Sequence, residues 1–329
     1  MEIDSTFPTK LDTVSDAPEP LRSALIDNLP SGEPVRSLVH APAFPTGDGK
    51  SPATVLAVTN DGWLVVSETE DGGAAVEKSD LSNILFLELR SILLLGQLRI
   101  FFAALDASSS VTINFETVGD ELYREAIELM LAGIDPPIAA LAEKDSNQAS
   151  MFEDWPMKFQ NEAQRDWHRG LRLLAALRWS AVFGEFQREI APAGALLITG
   201  RELILISDEK ESSAESPSVK QPKERSPEEE PSPSETPLET TLGPEIGKAD
   251  IDAGKLPGDV YEFGEIIIFV PRVRLAAFHV SHQERFGVLA LEVHAAHGGE
   301  KLEIIFPSDH EKAVSKAMEQ LSLSRGSAT

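Results

Sequence analysis

Cysteine is missing from all 329 residues. That excludes disulfides, a thiolate nucleophile and any cysteine-ligated metal site, and it fits a reducing, cytoplasmic setting. Basic residues are scarce: 29 Lys and Arg stand against 54 Asp and Glu, for a net charge of −25. The deficit is uneven. Residues 1–140 hold 22 acids and 8 bases, residues 208–259 hold 14 and 6, and the remainder is nearly neutral. An acidic first half repels phosphate, which argues against nucleic acid and against an anionic membrane as its partner. The near-neutral second half could face one.

Several signatures are also missing. The opening stretch, MEIDSTFPTKLDTVSDAPEP, has neither the basic start nor the apolar run of a secretory signal. There is no Gly-rich phosphate loop, nucleophile elbow or paired His-and-carboxylate motif. TGDGK at 46–50 has the wrong spacing for a phosphate loop and reads as a turn. His279/His282 and His294/His297 have a metal-like i, i+3 spacing. The strands expected there put His282 at one end of a hairpin and His294 and His297 at the other, so they do not converge on one ion. The expectation is a protein without catalytic residues, metal or cofactor; carboxylates converging from distant segments are the remaining route to an enzyme.

One long apolar run is present, ILFLELRSILLLGQLRIFFAAL at 84–105. A charge near the centre of a membrane span costs about 2.5–3.5 kcal/mol, against about 0.3–0.6 returned by each Leu, Ile or Phe. With Glu88, Arg90 and Arg99 inside the run, hydropathy alone is close to balance. An internal repeat decides the matter. TVLAVTNDGWLVVSETE (54–70) parallels ALLITGRELILISDEK (195–210), so that Thr59, Trp63 and Ser67 match Thr199, Leu203 and Ser207 at an offset of 140. Both read as hairpins, the first turning at Asn60-Asp61-Gly62. GEPVRSLVHAPAF and ALRWSAVFGEFQREI are the matching first strands. Downstream the offset becomes 191: Gly96, Leu98, Ile113 and Phe115 match Gly287, Leu289, Ile304 and Phe306, as one insertion in the second copy requires. The counterpart of 84–105 is LAAFHVSHQERFGVLALEVHAA (275–296), too polar for a bilayer. Residues 84–105 are therefore expected as two strands joined near Ser91–Gly96, with Glu88, Arg90, Gln97 and Arg99 outward and Phe86, Leu89, Leu98 and Ile100 inward. No transmembrane segment is expected.

Each copy ends in an amphipathic helix: Leu122, Ala126, Leu129 and Met130 in 120–131, and Ala313, Ala317, Met318 and Leu321 in 311–322. The succession LLITGRELILIS, further strands, Gly287 in a hairpin, Phe306 and a terminal helix resembles bacterial pleckstrin-homology-like domains of the PH/GRAM superfamily. The first copy shows it as LAVTNDGWLVVS, Gly96, Phe115 and the 120–131 helix. The resemblance implies a mainly β (α+β) fold: two tandem barrels, each of about seven antiparallel strands capped by a C-terminal helix. It implies roles in binding lipid headgroups, peptides or proteins. Headgroup-binding members cluster Lys and Arg about the first two strands. Here that region has only Arg36 and Lys50 in the first copy, and Arg178, Arg188 and Arg201 in the second.

The expected organisation is a partly disordered leader (1–30), a first domain (31–132), a linker with an amphipathic helix (133–174), a second domain (175–323) and a tail (324–329). Residues 208–258, rich in Glu, Ser and Pro and placed where a hairpin loop belongs, are expected to be disordered. They read as a solvated spacer or as a docking arm using sites such as Ser226-Pro227. NEAQRDWHRGLRLLAALRWS (161–180) reads as a helix with Trp167, Leu171, Leu174 and Leu177 in its stripe, Arg165, Arg169 and Arg172 beside it, packed on a barrel or, alternatively, lying on a membrane. The functional expectation is a cytoplasmic binding or scaffold module whose partner is another protein. The alternative is peripheral lipid binding through the second domain.

Overall fold

The computed structural model describes residues 6–30, 32–46, 49–105, 107–135, 148–167, 171–209, 264–283 and 285–325. The first half opens with β1 (Thr9–Lys10) and α1 (Leu21–Asn28), then β2 (Ser37–Ala41), β3 (Phe44–Thr46), β4 (Gly49–Ser51) and β5 (Thr54–Val58). It continues through β6 (Gly62–Glu68), β7 (Ala74–Asp80), β8 (Ile84–Ile92), β9 (Leu95–Ala104) and β10 (Ala107–Glu116) to α2 (Asp120–Ile134). The second half runs α3 (Met157–Trp167), β11 (Leu173–Trp179), β12 (Val182–Phe183), β13 (Glu189–Ala191), β14 (Gly194–Thr199) and β15 (Glu202–Glu209). It closes with β16 (Gly264–Pro271), β17 (Leu275–Gln283), β18 (Phe286–Ala295), β19 (Gly298–Pro307) and α4 (Glu311–Arg325).

The fold is mainly β and its strand pairs are antiparallel. A five-stranded sheet has the order β1-β2-β5-β6-β7, a central sheet β10-β9-β8-β16-β15-β14-β11, and a third β17-β18-β19, while β3-β4 and β12-β13 are short side hairpins. Alternation along each strand sends successive side chains into different cores. Trp63 and Val65 of β6 meet Leu87, Leu89, Leu98 and Ile100 of the central sheet in the largest core, which α2 and α3 help to enclose. Leu64 and Val66 turn the other way, against Leu21 and Leu25 of α1. Leu203 and Leu205 of the central sheet face Leu289, Leu291 and Phe306 of the third sheet and Val314, Ala317 and Met318 of α4. None of these sheets closes on itself, so the closed barrels expected from the sequence are not formed; β7 and β8, consecutive in the chain, lie in different sheets.

The elements follow the same order in both halves. Even the one-turn segments before strands β8 and β17 (Leu81–Asn83, Arg272–Arg274) and before α2 and α4 (Thr117–Gly119, Ser308–His310) recur. Gly96 pairs with Phe115 across β9–β10, and Gly287 pairs with Phe306 across β18–β19. A Cβ at either glycine would stand 2.2 Å from the partner ring. Both rings are fully buried, so each glycine is kept by the aromatic ring lying over it. α1 and α3 also correspond: Leu64 and Val66 under α1 match Ile204 and Ile206, which share a core with Phe159 and Ala163 of α3.

The run 84–105 is β8 and β9, and among the described residues no helix is long and apolar enough to cross a membrane. Its greasiness has a specific cause. β16 pairs with β8 from Gly264↔Ile92 to Phe269↔Leu87, joining the two halves in one sheet. β8 therefore has a neighbour on each edge and a core on each face, whereas its counterpart β17 is an edge strand and can carry His279 and His282. The same contrast separates Ile266–Phe269 of β16 from Ala75–Lys78 of the edge strand β7.

Two local expectations are corrected. Phe86 is buried but faces the third sheet, on the same side as Glu88, because residues two apart in a strand share a face; the register shift between Ile84 and Phe86 brings Leu85 to that side as well. The helix expected over 161–180 occupies 157–167, and 173–179 is strand β11, paired with β14 from Leu173↔Thr199 to Trp179↔Gly194. Within the leader expected to be partly disordered, residues 6–30 are folded, burying Leu11, Ala17, Leu21 and Leu25, and residues 1–5 lie outside the described residues. The expected disordered insertion, 208–258, lies outside the described residues from 210 onward; the strands flanking it, β15 and β16, are paired.

Candidate functional site

Charged side chains converge where α2, α3 and β16 meet. Arg124 stands on the buried side of α2 with no exposure, and its guanidinium reaches Asp120 at 2.8 Å, Glu265 at 3.3 Å, Glu162 at 3.4 Å and, most closely, Asp166. Arg165 of α3 joins Asp120 and reaches Glu121 at 3.4 Å. Lys158 donates to the Gly264 carbonyl at 2.8 Å and pairs with Asp208. Burial works against the charge on Arg124, but the surrounding carboxylates outweigh it and hold its pKa above the ordinary value. Burial pushes the Glu265 carboxyl up to about 7, and the Glu162 charge adds to the rise. Asp166, wholly buried, is also raised by burial despite Arg124 beside it. A cavity of about 330 Å³ opens beside the cluster, lined by Ser91, Leu93, Thr117, Asp120, Arg165 and Glu265. Among the described residues no group of three His, Asp or Glu is set to hold a metal ion. The arrangement is a strut that ties the helix of one half to a strand of the other, and Glu265 can hold or release a proton near neutrality.

A second ionic group lies at the other end of α2. Arg201 donates to both oxygens of Glu128, at 2.8 and 2.7 Å, and pairs with Glu202. Arg272 donates to the Gly200 carbonyl at 2.9 Å, and Arg274 to the Ile84 carbonyl at 2.9 Å. Burial raises the Asp135 pKa, opposed by the charges of Arg272, Arg201 and Arg274.

The accessible features are different in character. A cavity of about 300 Å³ is lined mainly by apolar groups, including Trp179, Ile190, Pro192, Leu205, Ile268 and Ile304. The β12–β13 hairpin flanks it and exposes Phe183 (52%), Phe186 (99%) and Ile190 (40%). Phe186 sits in the left-handed region at φ 58°, ψ 25°, a conformation that costs a non-glycine residue about 1–2 kcal/mol. In the corresponding hairpin of the first half, Phe44 is buried. A larger cavity, about 400 Å³, lies at the end of the five-stranded sheet and is lined by polar groups, among them Asn28, Glu33, Asp61, Lys78 and Asp80.

The basic residues singled out in the sequence do not gather into one patch. Arg201 is buried in its ion pairs and Arg165 is committed to Asp120. Arg178 lies 5.7 Å over the Phe159 ring. Arg36, Lys50, Arg172 and Arg188 are exposed. Arg169 and Ser226-Pro227 lie outside the described residues. His282 is opposite Gly287 near one end of the β17–β18 pair and His294 is opposite Gly299, toward the other end. Sequence reasoning missed Arg124, Asp166 and Glu265; the available signal was an arginine beside Tyr123 within the helical run 120–131. In three comparisons with known proteins, no family model, no curated protein and no solved structure matches the chain.

Proposed function

We propose that the chain is a non-catalytic binding module of two tandem pleckstrin-homology-like units, acting in the cytoplasm through contacts with another protein. The shared order of elements supports the unit assignment: in each half a four-stranded set and a three-stranded set face one core, and a C-terminal helix covers it. The functional reading rests on one observation, the apolar cavity flanked by exposed Phe183, Phe186 and Ile190. Apolar groups held out to solvent, Phe186 among them on strained backbone, suit a recognition surface better than a reaction centre. The buried charges, by contrast, are taken up with one another.

The test is affinity capture from cell extract with the full chain and with a Phe183→Ser/Phe186→Ser variant. A specific protein retained by the first and reduced at least tenfold with the second is the expected result. Equal recovery by both forms overturns the reading. Peripheral lipid binding by the second half is the other reading, favoured by Arg188 lying two residues from Phe186 on an exposed hairpin. Salt-sensitive co-sedimentation with anionic vesicles, lost in the same variant, would establish it instead.

A further inference from the structure

The two halves treat their first strands differently. In the first half, β1 lies along the outer edge of β2, with Thr9 opposite His40 and Lys10 opposite Val39. The Leu11 N–H then donates to the Leu38 carbonyl at 2.9 Å. Under this cover Leu38, Val39 and His40 are 4%, 1% and 6% exposed. The counterpart of β2 is β11, since β5 and β14 correspond and Ala41 and Trp179 hold the same register on them. Leu38, Val39 and His40 thus correspond to Ala176, Leu177 and Arg178. All three are half-buried, and β11 is the last strand of its sheet.

The hydrogen-bond phase shows what that edge offers. The Asp208 N–H donates to the Ala193 carbonyl, so alternate β14 residues from Ala193 face β15, and Leu196 and Ile198 face β11. Opposite them, Ala175 and Leu177 of β11 bond back to β14. Ala176 and Arg178 therefore direct both peptide groups away from the sheet. Among the described residues neither has a backbone partner. The Arg178 Nε is buried with no acceptor, and Arg172 and Arg188 are exposed nearby in the chain. Trp179, next along β11, lines the apolar cavity of about 300 Å³.

We propose that the outer edge of β11 at Ala176–Arg178 is a docking site for an extended, acidic segment of a partner protein, added as an antiparallel strand. This deepens the binding-module reading and rests on it. The chain's own β1 supplies the template for the pairing. Backbone bonds at Ala176 and Arg178 give affinity, and side chains on alternating faces give selectivity. A carboxylate at the position Thr9 holds against His40 would stand beside Arg178, as directly opposed residues in an antiparallel pair do. An apolar residue at the position of Pro8 would stand beside Trp179, at the cavity.

The probe is a fluorescent peptide with the sequence of residues 6–12 carrying Thr9→Glu, titrated against the full chain. Expected results are saturable binding and at least tenfold slower hydrogen exchange at the Ala176 and Arg178 amides. Arg178→Glu should weaken binding at least tenfold, and a Thr9→Lys peptide should restore it on that variant. Ala176→Pro, which removes only an outward N–H, should abolish binding while the chain stays folded. No binding by the probe, unchanged exchange at both amides, or indifference to the charge swap would overturn the proposal. So would slow exchange at both amides in the free chain, since the edge would then already be covered. A partner captured through Phe183 and Phe186 with these amides unaffected removes this site and leaves the binding-module reading standing.

Discussion

Replacing Glu265 by Gln tests the ionic strut directly. In the folded chain its carboxyl titrates at about 7, raised by burial and by the Glu162 charge, from an ordinary value of 4.5. A raised carboxyl means that the folded state binds more protons than the unfolded state between those two values. The contribution is fully present below about pH 4.5 and is lost as pH rises through 7. The whole shift is on the order of 3 kcal/mol, at about 1.4 kcal/mol per unit; roughly 2 kcal/mol of it falls between pH 5.5 and 8.5. The Glu265 side chain is 13% exposed, so solvent screening takes little from that figure. In urea unfolding, the stability difference between the wild type and Glu265→Gln should shrink by about this much across the interval, the variant showing the shallower fall with pH. Arg124 keeps Asp120, Glu162 and Asp166 in the variant, so its own charge stays paired. Parallel pH profiles for the two proteins would refute the reasoning.

Arg124→Met leaves Asp166 buried without its partner and should cost about 3–5 kcal/mol in chemical denaturation. Lys10→Ala, in a pair whose members are 52% and 56% exposed, should cost less than about 1 kcal/mol in the same assay. Gly287→Ala drives a methyl group to 2.2 Å from the Phe306 ring and should destabilise by about 1–3 kcal/mol; Phe306→Leu in the same chain should recover part of the loss. Leu89→Ala empties a fully buried site in the joint between the halves and should cost about 2–5 kcal/mol, read as a lowered denaturation midpoint.

Much of the strand pattern was legible because its signals are local or repeated. Thr59-Asn60-Asp61-Gly62 carries its own turn chemistry, and the Thr59 hydroxyl accepts from the Gly62 N–H at 3.0 Å. Gly96 and Phe115, like Gly287 and Phe306, kept a common offset that disclosed which strands pair. The helices α2 and α4 announced themselves by apolar spacing. The corrected elements lacked such signals. Residues 171–179 fit a helical stripe and a strand equally well over so short a run, and pairing with β14 settled the choice. Phe86 shares the face of Glu88 by simple alternation, and it is buried because the third sheet covers that face, which leaves no mark in a local hydrophobic pattern. α1 was overlooked because its apolar face is narrow, with only Leu21 and Leu25 buried.

That residues 84–105 are strands and not a membrane helix follows from the order of amino acids alone, since a polar counterpart at fixed offset is incompatible with a bilayer. So does the order of elements in each half, because turn chemistry and side-chain period act within a few residues. The choice of β16 as the neighbour of β8, which joins the halves in one open sheet, was settled by long-range packing. The same holds for Arg124, which lies among four carboxylates drawn from α2, α3 and β16, and for β11, which has no strand along its outer edge while β2 has β1. Edge pairing and charge burial depend on which surfaces meet across more than a hundred residues of chain, and no local pattern encodes that meeting.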